Sequence, residues 1–339
     1  MDLFCLGTPV IDLFARVDGK TIASLGITKG ATNFFSSQKL AEIGHMLGKK
    51  ITYRYAGDNA RNVCEGFAAL GGFAGYQGSV GNDSGASYFE ENLQQCGIAA
   101  FLQERKGSTG KILALLTPDK QRTFCADLGV SSECDAWEKM ALSESKMFFA
   151  TSITLAGDFG VSRLGMRYLE ACRKMGKRIA LSLESPPMVR QHRKRLLAIS
   201  KKYAGVLFMN EEEAEALLDA GFERKLLSFK PKIPVYLKKG KYGSALFFQK
   251  KSHRISAIGG KVVDTTGAGD AYAAGVLYGL SRHYSPLGSG KLGCMLATKV
   301  VGKTGAGIPL AHTRIKIAHN FSRSGMSTAN STKRIRVKH

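Results

Sequence analysis

The stretch Asp264-Thr265-Thr266-Gly267-Ala268-Gly269-Asp270, followed by Ala271-Tyr272-Ala273-Ala274-Gly275, holds the sharpest chemical possibility in this chain of 339 residues. Its small residues open a helical pattern. Small residues let the backbone come close to a ligand, and the free N–H groups at a helix start attract anions. A carboxylate at position 270 would repel a bound phosphate if it were decoration. It suits a base that takes a proton from a hydroxyl while the amides hold charge on a transferring phosphoryl group. The residues alone leave a second reading open, an Asp that caps its own helix.

Other phosphate and metal patterns are missing. No GxxxxGK[ST] loop occurs at a strand-to-helix turn. Gly302-Lys303-Thr304-Gly305-Ala306-Gly307 follows a helix rather than a strand, so a dinucleotide fingerprint fails on context. The seven cysteines show no CxxC spacing and their count is odd. That argues against a disulfide framework and a structural zinc site.

The elements that must position these residues are β-strands alternating with helices. Strands are expected at 3–7, 51–55, 73–80, 112–116, 122–125, 146–150, 178–183, 206–209, 235–238 and 245–248. Helices are expected from about 60 to 70 and over 84–96, 160–175, 190–202, 211–218, 267–280 and 287–301. Such alternation implies an α/β fold with a mostly parallel sheet covered by helices. Residues 12–55 and about 98–126 fit the rhythm less well and suggest a small β excursion.

The composition is 44% apolar, which supports a real core. The net charge of +22 permits contact with nucleic acid, acidic lipid or phosphorylated substrates without requiring any of them. No apolar run reaches the ~18 residues of a membrane span. With no signal peptide evident, a reducing, cytoplasmic setting is expected. Residues 322–339 carry five Lys/Arg and no acid and are read as a disordered basic tail.

Several further stretches share a resemblance with the 264–270 segment. Cys5-Leu6-Gly7-Thr8-Pro9-Val10-Ile11-Asp12, Ala56-Gly57-Asp58-Asn59-Ala60-Arg61-Asn62, Gly78 to Gly85, Asn210-Glu211-Glu212-Glu213 and Lys239-Gly240-x-x-Gly243 follow in order. Together they resemble the ribokinase-like (PfkB) sugar and nucleoside kinase family over about residues 3–307. The resemblance implies a ribokinase-like three-layer α/β sandwich with a small β-sheet lid, a single domain over 1–321. It implies ATP as donor and Mg2+ as its partner, with a monovalent cation such as K+ as a further option.

The same resemblance implies roles. Asp270 would be the general base, and Gly267, Ala268 and Gly269 the anion hole. Asp12, Gly57, Asp58 and Asn62 would bind the acceptor. Asn210, Glu213, Lys239, Gly240, Gly243 and Thr265 would hold the nucleotide, with Glu213 organising the metal through water. Taken singly, Asp12 also reads as a turn residue and Glu213 as an exposed first-turn acid. Ala56 stands where relatives often have glycine, and Asp58 where serine is common. Glu184, at a strand end, reads equally as a phosphate contact or a turn cap.

Within the family the chain most resembles the adenosine-kinase branch, through Leu6 to Asp12 and Gln121 to Gly129. That implies phosphorylation of the 5'-hydroxyl of a nucleoside, most simply adenosine. Asn33-Phe34-Phe35 and Phe124 are candidate contacts for a flat base. Kinases of free sugars or phosphosugars stay open. So does a different class, a polyanion- or nucleic-acid-binding protein on a kinase fold, suggested by the basic 190–202 helix and the tail. A monomer or homodimer is expected.

Overall fold

The computed structural model describes residues 1–119, 121–260 and 262–302. The tail at 322–339, the rest of the expected domain beyond 302 and the 303–307 part of the glycine-rich motif lie outside the described residues.

The chain runs β1 (Leu3–Leu6), β2 (Val10–Arg16), α1 (Gly19–Ser24), β3 (Thr32–Phe34), α2 (Ser37–Leu47), β4 (Ile51–Gly57), α3 (Asn59–Ala69), β5 (Ala74–Val80) and α4 (Ser84–Gln95). It continues through β6 (Ala99–Glu104), β7 (Thr109–Leu116), β8 (Arg122–Gly129), α5 (Lys139–Glu144), β9 (Met147–Thr151), α6 (Gly160–Lys174), β10 (Arg178–Ser182), α7 (Pro186–Gln191) and α8 (Arg193–Tyr203). Then follow β11 (Val206–Asn210), α9 (Glu211–Leu218), α10 (Phe222–Ser228), β12 (Val235–Lys238), β13 (Ser244–Phe248), β14 (Lys251–Ile255), α11 (Ala268–Ser281) and α12 (Pro286–Val301).

Nine strands form one sheet in the order β14-β13-β12-β11-β10-β9-β1-β5-β6. Pairing is parallel from β12 to β6, and β13 and β14 add an antiparallel edge. Its central strands are apolar on both faces, as expected where helices cover both sides. Leu3 and Cys5 pack toward α3, α11 and α12, while Phe4 and Leu6 pack toward α5, α6, α8 and α9. The glycines of α11 and α12 permit their close contact. A Cβ on Gly275 would lie 2.8 Å from Gly293 Cα.

The second sheet has the order β3-β8-β7-β2-β4 and forms the small β layer. One face packs on α2 through Leu40, Ile43 and Leu47 against Ala15, Leu113, Leu115 and Cys125. Strand β2 and helices α1 and α2 lie where the sequence showed only an irregular region. Strand β6, inside the 98–126 stretch, belongs to the large sheet rather than to the small one.

The single basic helix expected over 190–202 is two helices, because His192 between them leaves helical geometry. Several of its cations have local acid partners: Arg193 with Asp219, Arg195 with Asp158 and Lys202 with Glu170. All seven cysteines are buried and free. Among the described residues no helix is long and apolar enough to cross a membrane.

Candidate active site

Four chain segments meet where the small sheet faces the carboxyl ends of the large one. Gly267, in the left-handed region at φ 74°, is the N-cap of α11. The N–H groups of the first turn of a helix have no partner within it, which is the expected setting for an anion. Asp270 sits in that first turn but does not cap it. Its Oδ2 accepts from Asn62 Nδ2 over 3.0 Å, so the capping alternative fails.

Burial pushes the Asp270 carboxyl up to about 6, with Asn62 and Lys238 acting the other way and Glu213 adding to the rise. Asp264, before this helix start, holds the loop. Its Oδ1 accepts from the Thr266 backbone N–H at 2.9 Å and from Arg122 of β8. Arg122 also donates to Thr266 Oγ1, so one guanidinium ties the small sheet to the loop. Thr265 is exposed and accepts the Ala268 N–H through its carbonyl.

Asp12 lies within β2, not in a turn, opposite Tyr55 of β4. Its carboxylate crosses Gly57, where a Cβ would lie 2.2 Å from Asp12 Oδ2. Burial, and then the Asp58 carboxylate, push Asp12 up to about 7. Burial also pushes Asp58 up to about 7, opposed by the Tyr76 hydroxyl, which donates to Asp58 Oδ2 at 2.6 Å. The Thr8 N–H donates to the same oxygen at 3.2 Å. Asp58 has φ 113°. That region favours glycine and strains other residues. The backbone demand for glycine therefore falls on Asp58, while Ala56 is an ordinary buried strand residue.

Asn210 and Glu213 form a reciprocal capping box on α9. Glu213 N–H donates to Asn210 Oδ1 at 2.7 Å, and Asn210 N–H and Nδ2 donate to the two Glu213 oxygens at 2.8 and 2.9 Å. Glu213 is 5% exposed, so it is not the solvated first-turn acid of the alternative reading. Lys239, Gly240 and Gly243 form the tight turn between β12 and β13. At Gly243, φ is 90° and a Cβ would lie 2.1 Å from the Ile255 carbonyl.

Lys239 turns away to Glu223 and Glu211. The lysine beside the acids is Lys238, 4.0 Å from Glu213 Oε2. A Cβ on Gly269 would lie 3.3 Å from Lys238 Nζ, so glycine there leaves room for the ammonium. Lys238 and the Arg122 link escaped the sequence reading. The end of β12 was the signal available for the first: Lys238 is its last residue, and Lys239 already lies in the turn. Glu184 is buried, its carboxyl driven well above the usual range by burial and then by Asp58, Asp270 and Glu213. The Thr151 hydroxyl acts the other way, although Glu184 Oε1 and Thr151 Oγ1 do not reach hydrogen-bond geometry.

A cavity beneath the small sheet is lined by Phe14, Tyr53, Ala114, Leu116, Arg122 and Asp264. The Phe14 and Tyr53 rings lie 5.7 Å apart. Of the expected base contacts, Phe35 packs in the core behind the small sheet, and Asn33 accepts the Thr28 N–H at 3.0 Å in a turn.

The arrangement places a half-buried carboxylate in the first turn of a helix, beside the small sheet. The chain belongs to the pfkB family of carbohydrate kinases, whose model matches residues 20–314. It is 26% identical to adenosine kinase of Saccharomyces cerevisiae, over 91% of this chain and 96% of that one. It is 27% identical to a fructokinase of Salmonella typhimurium, over 66% and 76%. Among solved structures, adenosine kinase from Sinorhizobium meliloti superposes with a TM-score of 0.81 at 26% identity, covering 91% of this chain and 97% of that one. The fold is the ribokinase-like sandwich with its smaller second sheet, and the chain is a sugar or nucleoside kinase.

Proposed function

We propose that the chain transfers the γ-phosphoryl group of ATP to the 5'-hydroxyl of a nucleoside, adenosine being the first candidate. The observation that carries the chemistry is the placement of Asp270, in the first turn of α11 and bonded to Asn62 rather than to its own helix. In this reading the acceptor hydroxyl lies against Asp270. The carboxylate takes its proton as the oxygen attacks the γ-phosphorus, and the bond from that phosphorus to the β–γ bridging oxygen breaks, its electron pair leaving with ADP. The amides of Gly267 and Gly269 hold the equatorial charge, with Lys238 in support; the Ala268 N–H joins them only if it leaves the Thr265 carbonyl.

Asp12, Asp58 and Asn62 receive ribose hydroxyls, which donate well to carboxylates. Gly57 keeps the space over Asp12 open. Asn210, Thr265, Gly240 and Gly243 border the nucleotide, while Lys239 contributes only through its turn. The adenosine-kinase likeness and the Phe14 and Tyr53 rings favour a base over a bare sugar. The acids Asp12, Asp58, Asp270, Glu184 and Glu213 disfavour an acceptor that already carries phosphate.

Among the described residues no three His, Cys, Asp or Glu side chains close on one point to grip a bare ion. The buried, unpartnered Glu184 Oε1 beside Glu213 fits an ion held through water instead. Bound there, Mg2+ would neutralise phosphate charge. No observation supports a monovalent cation, and it is not carried further.

The test is ATP turnover over nucleosides, free sugars and phosphosugars, beside Asp270→Asn. Turnover with adenosine that the variant loses is expected. Turnover with a sugar alone would overturn the nucleoside assignment. Turnover that survives in the variant would overturn the base.

A further inference from the structure

Behind the acceptor site, α3 carries an unusual polar core. Arg61 is 0% exposed, on a face where an apolar residue would pack without cost. A buried cation is expensive unless paired and hydrogen-bonded. Arg61 Nη1 donates to Glu65 Oε2 at 2.7 Å, one helical turn on, and to the Tyr55 hydroxyl. Arg61 Nη2 donates to Asn92 Oδ1 of α4. The same Nη1 donates to Asn62 Oδ1 at 3.2 Å, and the Tyr55 hydroxyl lies 3.4 Å from that oxygen.

The Tyr55 hydroxyl gives its one proton to Glu65 Oε2 at 2.8 Å, so the Arg61 guanidinium is the donor that faces Asn62 Oδ1, while Asn62 Nδ2 faces the Asp270 carboxylate. Turning the amide over would set its NH2 against the guanidinium and its oxygen against the carboxylate, both unfavourable. We propose that Arg61 is a positioning residue, whose buried guanidinium locks the Asn62 amide so that its N–H always points at Asp270. This rests on Asp270 being the base of the proposed function.

Asp270 is also faced by Lys238 at the end of β12, Glu213 of α9, Glu184 after β10 and Asp58 before α3. None of these groups belongs to the Arg61–Glu65 pair, and the Arg61 charge acts on Asp12 but is not among the causes of the shift at Asp270.

Removing one partner of a buried ion pair strands the other charge, whereas replacing both by apolar residues is often tolerated. The test therefore uses the double variant Arg61→Met/Glu65→Met, with folding checked by circular dichroism and thermal unfolding. The readout is the titration of Asp270 by 13C NMR of labelled aspartate, assigned by its loss in Asp270→Asn and run without substrate. The expected result is a midpoint raised by roughly half a unit or more, in the direction of Asn62→Ala, since a carboxylate loses a charge-stabilising donor. Turnover should fall roughly ten-fold or more with the KM for ATP little changed, as for a loss felt in the transition state.

A folded double variant with an unmoved midpoint overturns the proposal. If that variant does not fold, Arg61→Lys replaces it. Lysine keeps the charge opposite Glu65 but not the fork, and an unmoved midpoint there overturns the proposal equally. If the wild type phosphorylates no hydroxyl while the midpoint moves, the kinase reading falls and the positioning of Asp270 stands. If the wild type turns over and the midpoint stays, only the lock falls.

Discussion

Asn62 and Asp270 are separated by 208 positions in the chain and joined by one hydrogen bond of 3.0 Å, Nδ2 to Oδ2. The bond connects the start of α3 to the start of α11, so it links the acceptor side of the proposed site to its anion side. It also keeps more of Asp270 ionised at neutral pH, because a donor to a carboxylate favours the charged form.

The base should show in the pH profile. Asp270 lies at about 6 and must be ionised to accept a proton. Thus kcat/KM should rise with pH through about 6 and level above it. Asp270→Asn should lose ~10²–10⁴-fold in turnover with unfolding unchanged. A profile flat from pH 5 to 8 with a single acceptor would contradict the assignment.

Lys238 should tune the same limb. Its charge holds the Asp270 carboxyl down. In Lys238→Met the acid limb should therefore move to higher pH, and activity at pH 6 should fall more than at pH 8. Lys239→Met should leave the limb in place, since Lys239 pairs with Glu223 and Glu211. Equal effects from the two lysines would refute the distinction.

Gly57→Ala tests the acceptor floor. The added methyl would meet the Asp12 carboxylate at 2.2 Å and Val10 Cγ2 at 3.1 Å. Asp12 must swing aside, so the acceptor KM should rise on the order of ten-fold, a loss of about 1.4 kcal/mol in binding. The KM for ATP should hold. A steady acceptor KM would show that Asp12 does not touch the acceptor.

Asp58 should set the pH dependence of stability. Its carboxyl, like that of Asp12, lies at about 7 when folded, against 3.8 when free. Between those values the folded chain keeps protons that the unfolded chain has released. Stability from these groups is full below the unfolded value and is lost as pH rises through about 7. Asp58→Asn should therefore raise Tm relative to wild type more at pH 8 than at pH 5. The opposite ordering in thermal unfolding would show that Asp58 is charged and stabilising in the native state.

Arg122→Ala should free the small sheet. The guanidinium joins β8 to Asp264 and Thr266. Without it, amide exchange in β7 and β8 should quicken while the large sheet stays protected, and both substrate KM values should rise several-fold. Unchanged exchange in the hairpin would mean that the link does not hold the sheet.

The legible parts of the molecule were local. The alternation of strands and helices gives the large sheet, because strands buried on both faces read as short apolar runs. The turn into α11 reads from its small residues. The polar partners did not read, because pairings such as Asn62 with Asp270 are set by tertiary packing. Strand β2 was hidden by Pro9 and Asp12 at its entry. The choice of Lys238 over Lys239 depends on where β12 ends and which way the turn after it carries the second lysine, toward Glu223 and Glu211. The strain at Asp58 is a backbone angle that side-chain type does not announce.

The place of β1 has a consequence for synthesis. It lies between β5 and β9 in the sheet, so its second edge stays unpaired until β9 has been made. At ~5–20 residues per second, Asp270 follows Asn62 by roughly 10–40 s. A nascent chain thus keeps an open β1 edge until β9 follows, roughly 4–17 s after Asn62 at that rate, and holds Asn62 without Asp270 for the whole interval. Phosphoryl transfer cannot begin on the ribosome before α11 emerges, and a chaperone that shields β1 would act before β9 emerges.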